Sequence, residues 1–253
     1  MEDLELPLTA HLDELRTRLF RALLAIGAAF AVCYPNSYWL FDLLEAPLIE
    51  AAAAAGIETK IVGTGVAEAF FTRLKVSFIA ALFVALPVVL FQVWKFIVPG
   101  LRDTEANYAR GFVLFGTLFF LAGAYFCYTV VFPFGFPFFL SEYTRIGVEP
   151  LVRISEYLSF SSRLLLAFGT TFEMPVAAFF LARAGVITHR TLIGWGRYAI
   201  IVLFVAAAIL TPPDAASQML MVVPLLLLYA LSIGVAYVFR RNDDTRAGDD
   251  EEM

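Results

Sequence analysis

The stretch VSFIAALFVALPVVLFQVW, from Val76 to Trp94, decides the class of this fold because it holds no charged side chain. A helix needs about 20 predominantly apolar residues to cross a hydrocarbon core about 30 Å thick. Two further runs meet the same condition, Gly111 to Ser141 and Ala215 to Phe239. Across all 253 residues, 60% are hydrophobic and 16% charged, where a soluble domain carries about 25% charged residues. Buried helices of a large soluble core are excluded, since too little polar surface remains to face water. The chain reads as an all-α, polytopic membrane protein.

Working outward from that stretch, span 2 is expected over residues 70–98, with Pro87 inside it and Pro99-Gly100 as its stop. Proline costs about 3 kcal/mol within a soluble helix, but neighbours in a membrane bundle satisfy the freed carbonyl. Upstream, Leu8, Leu12, Leu15 and Leu19 recur at helical spacing while Asp13, Glu14, Arg16 and Arg18 occupy other faces. Residues 1–17 are therefore expected to form an amphipathic N-terminal helix, leading into span 1 over about 18–34. The start Met1-Glu2-Asp3-Leu4-Glu5 lacks the basic region of a cleaved signal peptide, so span 1 is expected to be retained. Residues 38–65 are too broken to span, and the run Ala51–Ala55 predicts a short helix outside the membrane.

Downstream, span 3 is expected over 107–132, with Pro133 and Pro137 marking its exit into a polar segment from Ser141 to Glu156. Span 4 follows over 157–184. Span 5 reads as short, about 198–210, and Thr211-Pro212-Pro213-Asp214 turns it into span 6 with Asp214 as N-cap. The transmembrane domain is thus 18–239. Residues 240–253 form an acidic tail, rich in Asp and Glu from Asp243 to Glu252, which reads as a solvated, disordered end.

Orientation follows from counting Lys and Arg on alternate sides of the spans. One side takes Arg16, Arg18, Arg21, Lys95, Arg102, Arg110, Arg183, Arg190, Arg197, Arg240, Arg241 and Arg246, which makes twelve of the 18. The other takes Lys60, Arg73, Lys75, Arg145, Arg153 and Arg163, which makes six. Both termini are then expected in the cytoplasm, and the number of spans is even: six.

Few side chains are equipped for chemistry. Cys33 and Cys127 lie in apolar runs and His11 and His189 outside the spans, so neither a disulfide nor a metal site is expected. No Gly-x-Ser-x-Gly, no intramembrane histidine and no phosphate-binding glycine loop is present, so catalysis and ATP use are not expected, and no cofactor is. A basic patch suited to nucleic acid is also missing.

One residue stands out. Leu164 to Ala182 is apolar apart from Glu173 at its midpoint. A carboxylate at the bilayer centre costs at least ~2.5 kcal/mol, so it must face protein or a wet cavity. Glu173 reads either as a functional group or as an acid bonded to a neighbouring helix, with Thr170 and Thr171 on the same helix. Glu14 and Glu105 have plainer readings by spacing alone. Glu14 is placed to pair with Arg18 at i, i+4, and Glu105 to complement the dipole of span 3. Yet both fall on the cytoplasmic side, where two carboxylates suit a guanidinium ligand.

A series of short motifs then resembles the TatC family, the receptor subunit of the twin-arginine protein translocase. The series runs in order over about residues 8–239. It opens with His11-Leu12-Asp13-Glu14-Leu15-Arg16, Ala46-Pro47-Leu48, and Phe70-Phe71 with Lys75. Pro87, then Gln92-Val93-Trp94-Lys95-Phe96-Ile97-Val98-Pro99-Gly100-Leu101 with Glu105, carries the middle. Val131-Phe132-Pro133, Tyr157-Leu158-Ser159-Phe160, Phe168-Gly169, Phe172-Glu173-Met174-Pro175-Val176, and Leu210-Thr211-Pro212-Pro213-Asp214 with Ser217-Gln218 complete it. Each motif is weak; their order is specific.

The resemblance implies a concave, cup-like bundle of six helices in the cytoplasmic membrane. It implies binding of twin-arginine signal peptides of folded precursors, with Glu14, Arg16, Phe96 and Glu105 at the binding site, which reverses the plainer reading of the two glutamates. It further implies Glu173 as an intramembrane polar site, and Pro47 in the outer loops used for assembly. Asp214 and Gln218 match positions where partner helices dock. Implied partners are single-span TatA/TatB-type proteins, further copies of the receptor, and membrane lipid, with the proton gradient as energy source. Short or tightly joined spans 5 and 6 would thin the bilayer locally. The competing reading is a proton-coupled small-solute transporter using Glu173, against which no inverted repeat is visible between residues 1–130 and 131–253.

Overall fold

The computed structural model describes residues 8–57, 60–97, 106–183, 185–211 and 215–239. Helices dominate: α1 (Leu8–Cys33), α2 (Ser37–Ala54), α3 (Glu68–Ile97), α4 (Ala106–Phe126), α5 (Phe132–Ile146), α6 (Ile154–Arg183), α7 (His189–Leu210) and α8 (Ala215–Val238). A π-helical turn, Cys127–Val131, joins α4 to α5. Five stretches are long and apolar enough to cross a membrane alone: 68–96, 110–146, 154–183, 189–210 and 217–238. The sixth arises only when α1 and α2 are taken together, and they meet at an 87° bend. Arg16, Arg18 and Arg21 shorten the charge-free part of α1, which is why it falls short by itself.

The chain divides into two compact units, residues 1–43 with 65–117, and residues 44–64 with 118–253. In the first, α1 packs on α3 through small residues. Ala29, Cys33, Ala81 and Ala85 are buried together, with Phe30 and Val89 against them. At the bend after α1, the Arg73 guanidinium lies 4.2 Å from the Tyr38 ring and 5.1 Å from that of Tyr34. Its Nε donates to the buried Ser37 hydroxyl at 3.0 Å. Since Tyr34 meets Arg73 while Ala29 meets Ala81 and Ala85, the two helices run antiparallel.

In the second unit, α5 is held on α6 by aromatic rings. Phe132 and Phe136 stack at 4.8 Å, and Phe136 meets Tyr157 at 5.5 Å and Phe160 at 6.4 Å. Helix α6 also packs on α8, and α7 on α8. A two-residue parallel ladder pairs Ile61 with Val152 and Val62 with Arg153. The Tyr157 hydroxyl, almost wholly buried, donates to the Leu44 carbonyl of α2. Tyr157→Phe deletes that bond and keeps the ring. It is expected to cost about 1 kcal/mol, read as a lower melting temperature in detergent.

Several sequence expectations are corrected. The helix expected only around Ala51–Ala55 begins at Ser37, so Pro47 lies buried inside α2 and not in a loop. The exit expected at Pro133 and Pro137 is not an exit, and the segment expected as polar from Ser141 begins as helix. Phe132 N–H bonds Cys127 O across the π turn, which resets the ladder beside Pro133, and α5 continues to Ile146. Gly147 ends α5 at φ +71°, its N–H returning to Tyr143 and Thr144 carbonyls. Span 5 is not short: Thr188 caps α7 by accepting the Thr191 N–H, giving 22 residues, about 33 Å. Helix α8 has 24 residues, so shortness gives no ground for local thinning. The expected tail, 240–253, lies outside the described residues.

Candidate functional site

The sequence singled out side chains in three places. The first is the N-terminal half of α1. Glu14 accepts the guanidinium of Arg18, one turn on, with Nε at 2.9 Å and Nη2 also bonded. Spacing predicted that pair. Both side chains are partly buried, whereas Arg16 is exposed. Phe96 sits half-buried in the last turn of α3. Glu14 lies about 22 Å along α1 from Ala29, and Phe96 lies roughly 20 Å along α3 from Ala81 and Ala85. Because the two helices are antiparallel, the structure brings Glu14 and Phe96 to one end of the α1–α3 pair. Glu105 lies outside the described residues.

The second place is the middle of α6. Both Glu173 carboxyl oxygens are buried, and neither has a hydrogen-bond partner among the described residues. Helical spacing sets Glu173 one turn beyond Gly169, on the stripe that continues to Val176 and Phe180. Gly169 is where the Phe120 ring of α4 packs, and Gly123 of α4 lies against the Phe168 carbonyl and Phe172. Thr171 does not serve the carboxyl, since its hydroxyl bonds its own helix at Ala167 O, 2.7 Å away. Thr170 is exposed. Pro175 withholds from Thr171 O its ordinary helical donor.

An unpartnered acid inside a helix bundle is a cost that packing does not require. Glu173→Leu removes two buried acceptors at similar volume, so it is expected to raise stability by about 1–3 kcal/mol. Thermal unfolding in detergent reads the change. A lower melting temperature would show that the carboxyl has a partner in the folded protein.

The third place is where α7 ends and α8 begins. Gln218 Nε2 donates to Phe204 O of α7 at 3.2 Å, and Thr211 bonds back to Ala207 O. Asp214 lies outside the described residues. Pro47 is in α2, near the carbonyl that Tyr157 holds. Among the described residues no cluster of His, Cys, Asp or Glu suits a metal ion. The close approaches at Gly123 and Gly169 were not foreseen, although small residues are the usual signal of touching membrane helices.

Comparison with known proteins fits this arrangement. The family described as Sec-independent protein translocase protein (TatC) matches residues 10–224. The chain belongs to the TatC family. It is 41% identical over 251 residues to the Sec-independent protein translocase protein TatC of Desulforapulum autotrophicum, covering 99% of this chain and 90% of that one. Against the TatC of Campylobacter jejuni it is 42% identical over 226 residues, 89% of this chain and 91% of that one. The crystal structure of the twin arginine translocase receptor TatC matches with a TM-score of 0.79 and 34% identity, over 89% of this chain and 97% of that chain. The same receptor in a second crystal structure, in the detergent DDM, gives 0.80.

Membership settles the class of transport. The chain is a six-helix, multi-pass membrane component of the Sec-independent protein translocase, and works within a Tat complex. Its cargo is protein, which removes the reading of Glu173 as the proton carrier of a small-solute transporter.

Proposed function

We propose that this chain is the receptor that binds twin-arginine signal peptides of folded precursors, at the end of the α1–α3 pair marked by Glu14 and Phe96. The observation that carries the reading is the Glu14–Arg18 pair. Glu14 is already shaped to accept a guanidinium, partly shielded from water, and a signal-peptide arginine is the same chemical group. Arg16 and Glu105 belong to the same site by motif. The name of the similar crystal structures, twin arginine translocase receptor, supports it.

On this reading both termini are cytoplasmic and the membrane is the cytoplasmic (inner) one. The twin arginines engage Glu14 and Glu105, and the apolar part of the signal peptide then passes toward Glu173. TatA/TatB-type single-span proteins gather afterwards, using Gln218 and Asp214, with the proton gradient driving transport. Helix α7 suits such docking. It is the least buried of the five apolar spans, and Gln218 bonds to its Phe204 carbonyl.

The test is site-specific photocrosslinking to a twin-arginine precursor from residues 105 and 173, in membranes with and without TatA/TatB-type partners. The expected result is capture from position 105 in either membrane and from position 173 once the signal peptide inserts. Capture from neither position overturns the reading. Copurification of single-span proteins with this chain is the expected sign of assembly.

A further inference from the structure

Between α3 and α4 lies a groove of about 460 Å³, walled by Pro87, Val88 and Phe91 on one side and Leu114 and Thr117 on the other. Val88 and Leu114 are exposed along its length. Thr117 turns its hydroxyl onto Val113 O at 2.7 Å, which leaves the methyl group for the groove and keeps its deep end apolar. The other end is cationic. Arg110 lines it, and the exposed Lys95 holds Nζ 4.6 Å from the centre of the Phe91 ring. Helix α3 stops at Ile97 and α4 starts at Ala106, so each cation stands within about one turn of its helix end. From Arg110 to Thr117 the groove runs about 10 Å along α4.

A cationic rim above an apolar trough suits a molecule with an anionic head and a slender hydrocarbon tail. Charge selects the occupant: an anionic head answers the two cations at the rim, which a wholly apolar helix would not. Lys95 lies in the last turn of α3, one residue before Phe96, so the cationic rim adjoins the Glu14 end of the α1–α3 pair.

We propose that this groove binds an anionic phospholipid, with the headgroup phosphate at Arg110 and Lys95 and one acyl chain running past Val88 and Leu114 toward Pro87. Arginine offers five donors in a planar fork, so Arg110 can serve a phosphate along with a protein partner. The site does not depend on the signal-peptide reading.

The full chain, purified in mild detergent and given equal amounts of phosphatidylglycerol and phosphatidylcholine, provides the test by native mass spectrometry. Retention of one phosphatidylglycerol, with about fivefold preference for each cation, is expected. Arg110→Gln should lower that preference about fivefold. Val88→Trp, on an exposed wall, should fill the trough and abolish retention of either lipid. Where Val88→Trp does not fold, Arg110→Gln still decides, since its side chain is exposed. Equal retention of the two lipids by the unaltered chain, or a preference unmoved by Arg110→Gln, overturns the proposal. So does a photocrosslinker at position 114 that captures a protein helix in native membranes.

Discussion

Gly123→Ala is expected to loosen the contact of α4 with α6 and to cost about 1–3 kcal/mol, the range for overfilling a packed interior. A Cβ on Gly123 would stand 2.6 Å from the Phe168 carbonyl oxygen and 2.8 Å from Cβ and Cγ of Phe172. The first of these is backbone in the middle of a helix, so it cannot rotate away. The two helices must separate, and Phe168, fully buried and 5.8 Å from the Phe126 ring, is drawn out with them. Gly169→Ala gives a useful contrast. There the added carbon meets the far edge of the Phe120 ring at 2.8 Å, and a side chain can shift. Gly123→Ala should therefore lower the melting temperature in detergent more than Gly169→Ala, and Gly123→Val more than either. A reversed order would mean that the α4 backbone does not approach α6 this closely.

That contact shows where the sequence stops being legible. The spans were readable because hydrocarbon imposes a length and forbids charge, so Val76–Trp94 and Ala215–Phe239 announce themselves. Glu173 was readable for the same reason, as the single charge between Leu164 and Ala182. The ends of helices were not. Charge at Arg190 and Arg197 suggested a later start for span 5, but the helix itself starts at His189, capped by the Thr188 side chain. Pro133 and Pro137 carry the usual signal for a break, and a single π turn cancels it because Phe132, Phe136 and Leu140 share a buried stripe. Within the candidate site, local spacing gave the Glu14–Arg18 pair. Contacts far apart in sequence had no such signature, as with Tyr157 and Leu44, 113 residues distant, or Arg73 between two tyrosines across the α1–α2 bend.

Reversing both acidic residues, Glu14→Arg with Glu105→Arg, is expected to reduce crosslinking of a twin-arginine signal peptide by about a hundredfold or more. Hydrogen bonds to a charged group contribute about 1.5–3 kcal/mol each, roughly ten- to a hundredfold per site, and reversal adds repulsion. Each single variant should lose about tenfold. The pair already present at Glu14 is the main objection, because Arg18 occupies the carboxylate that the peptide would need. Magnitudes answer it. A helical i, i+4 pair is worth about 0.3–0.5 kcal/mol, well below a shielded arginine–carboxylate contact, so exchange favours the incoming arginine. Arg18→Gln separates exchange from mere coincidence. If Arg18 only competes for Glu14, removing it should strengthen peptide binding about twofold, in line with the small energy of the pair. If binding collapses instead, Arg18 is holding Glu14 in position, and the exchange does not occur. Unchanged crosslinking in both glutamate variants would remove the signal peptide from this end of the α1–α3 pair altogether.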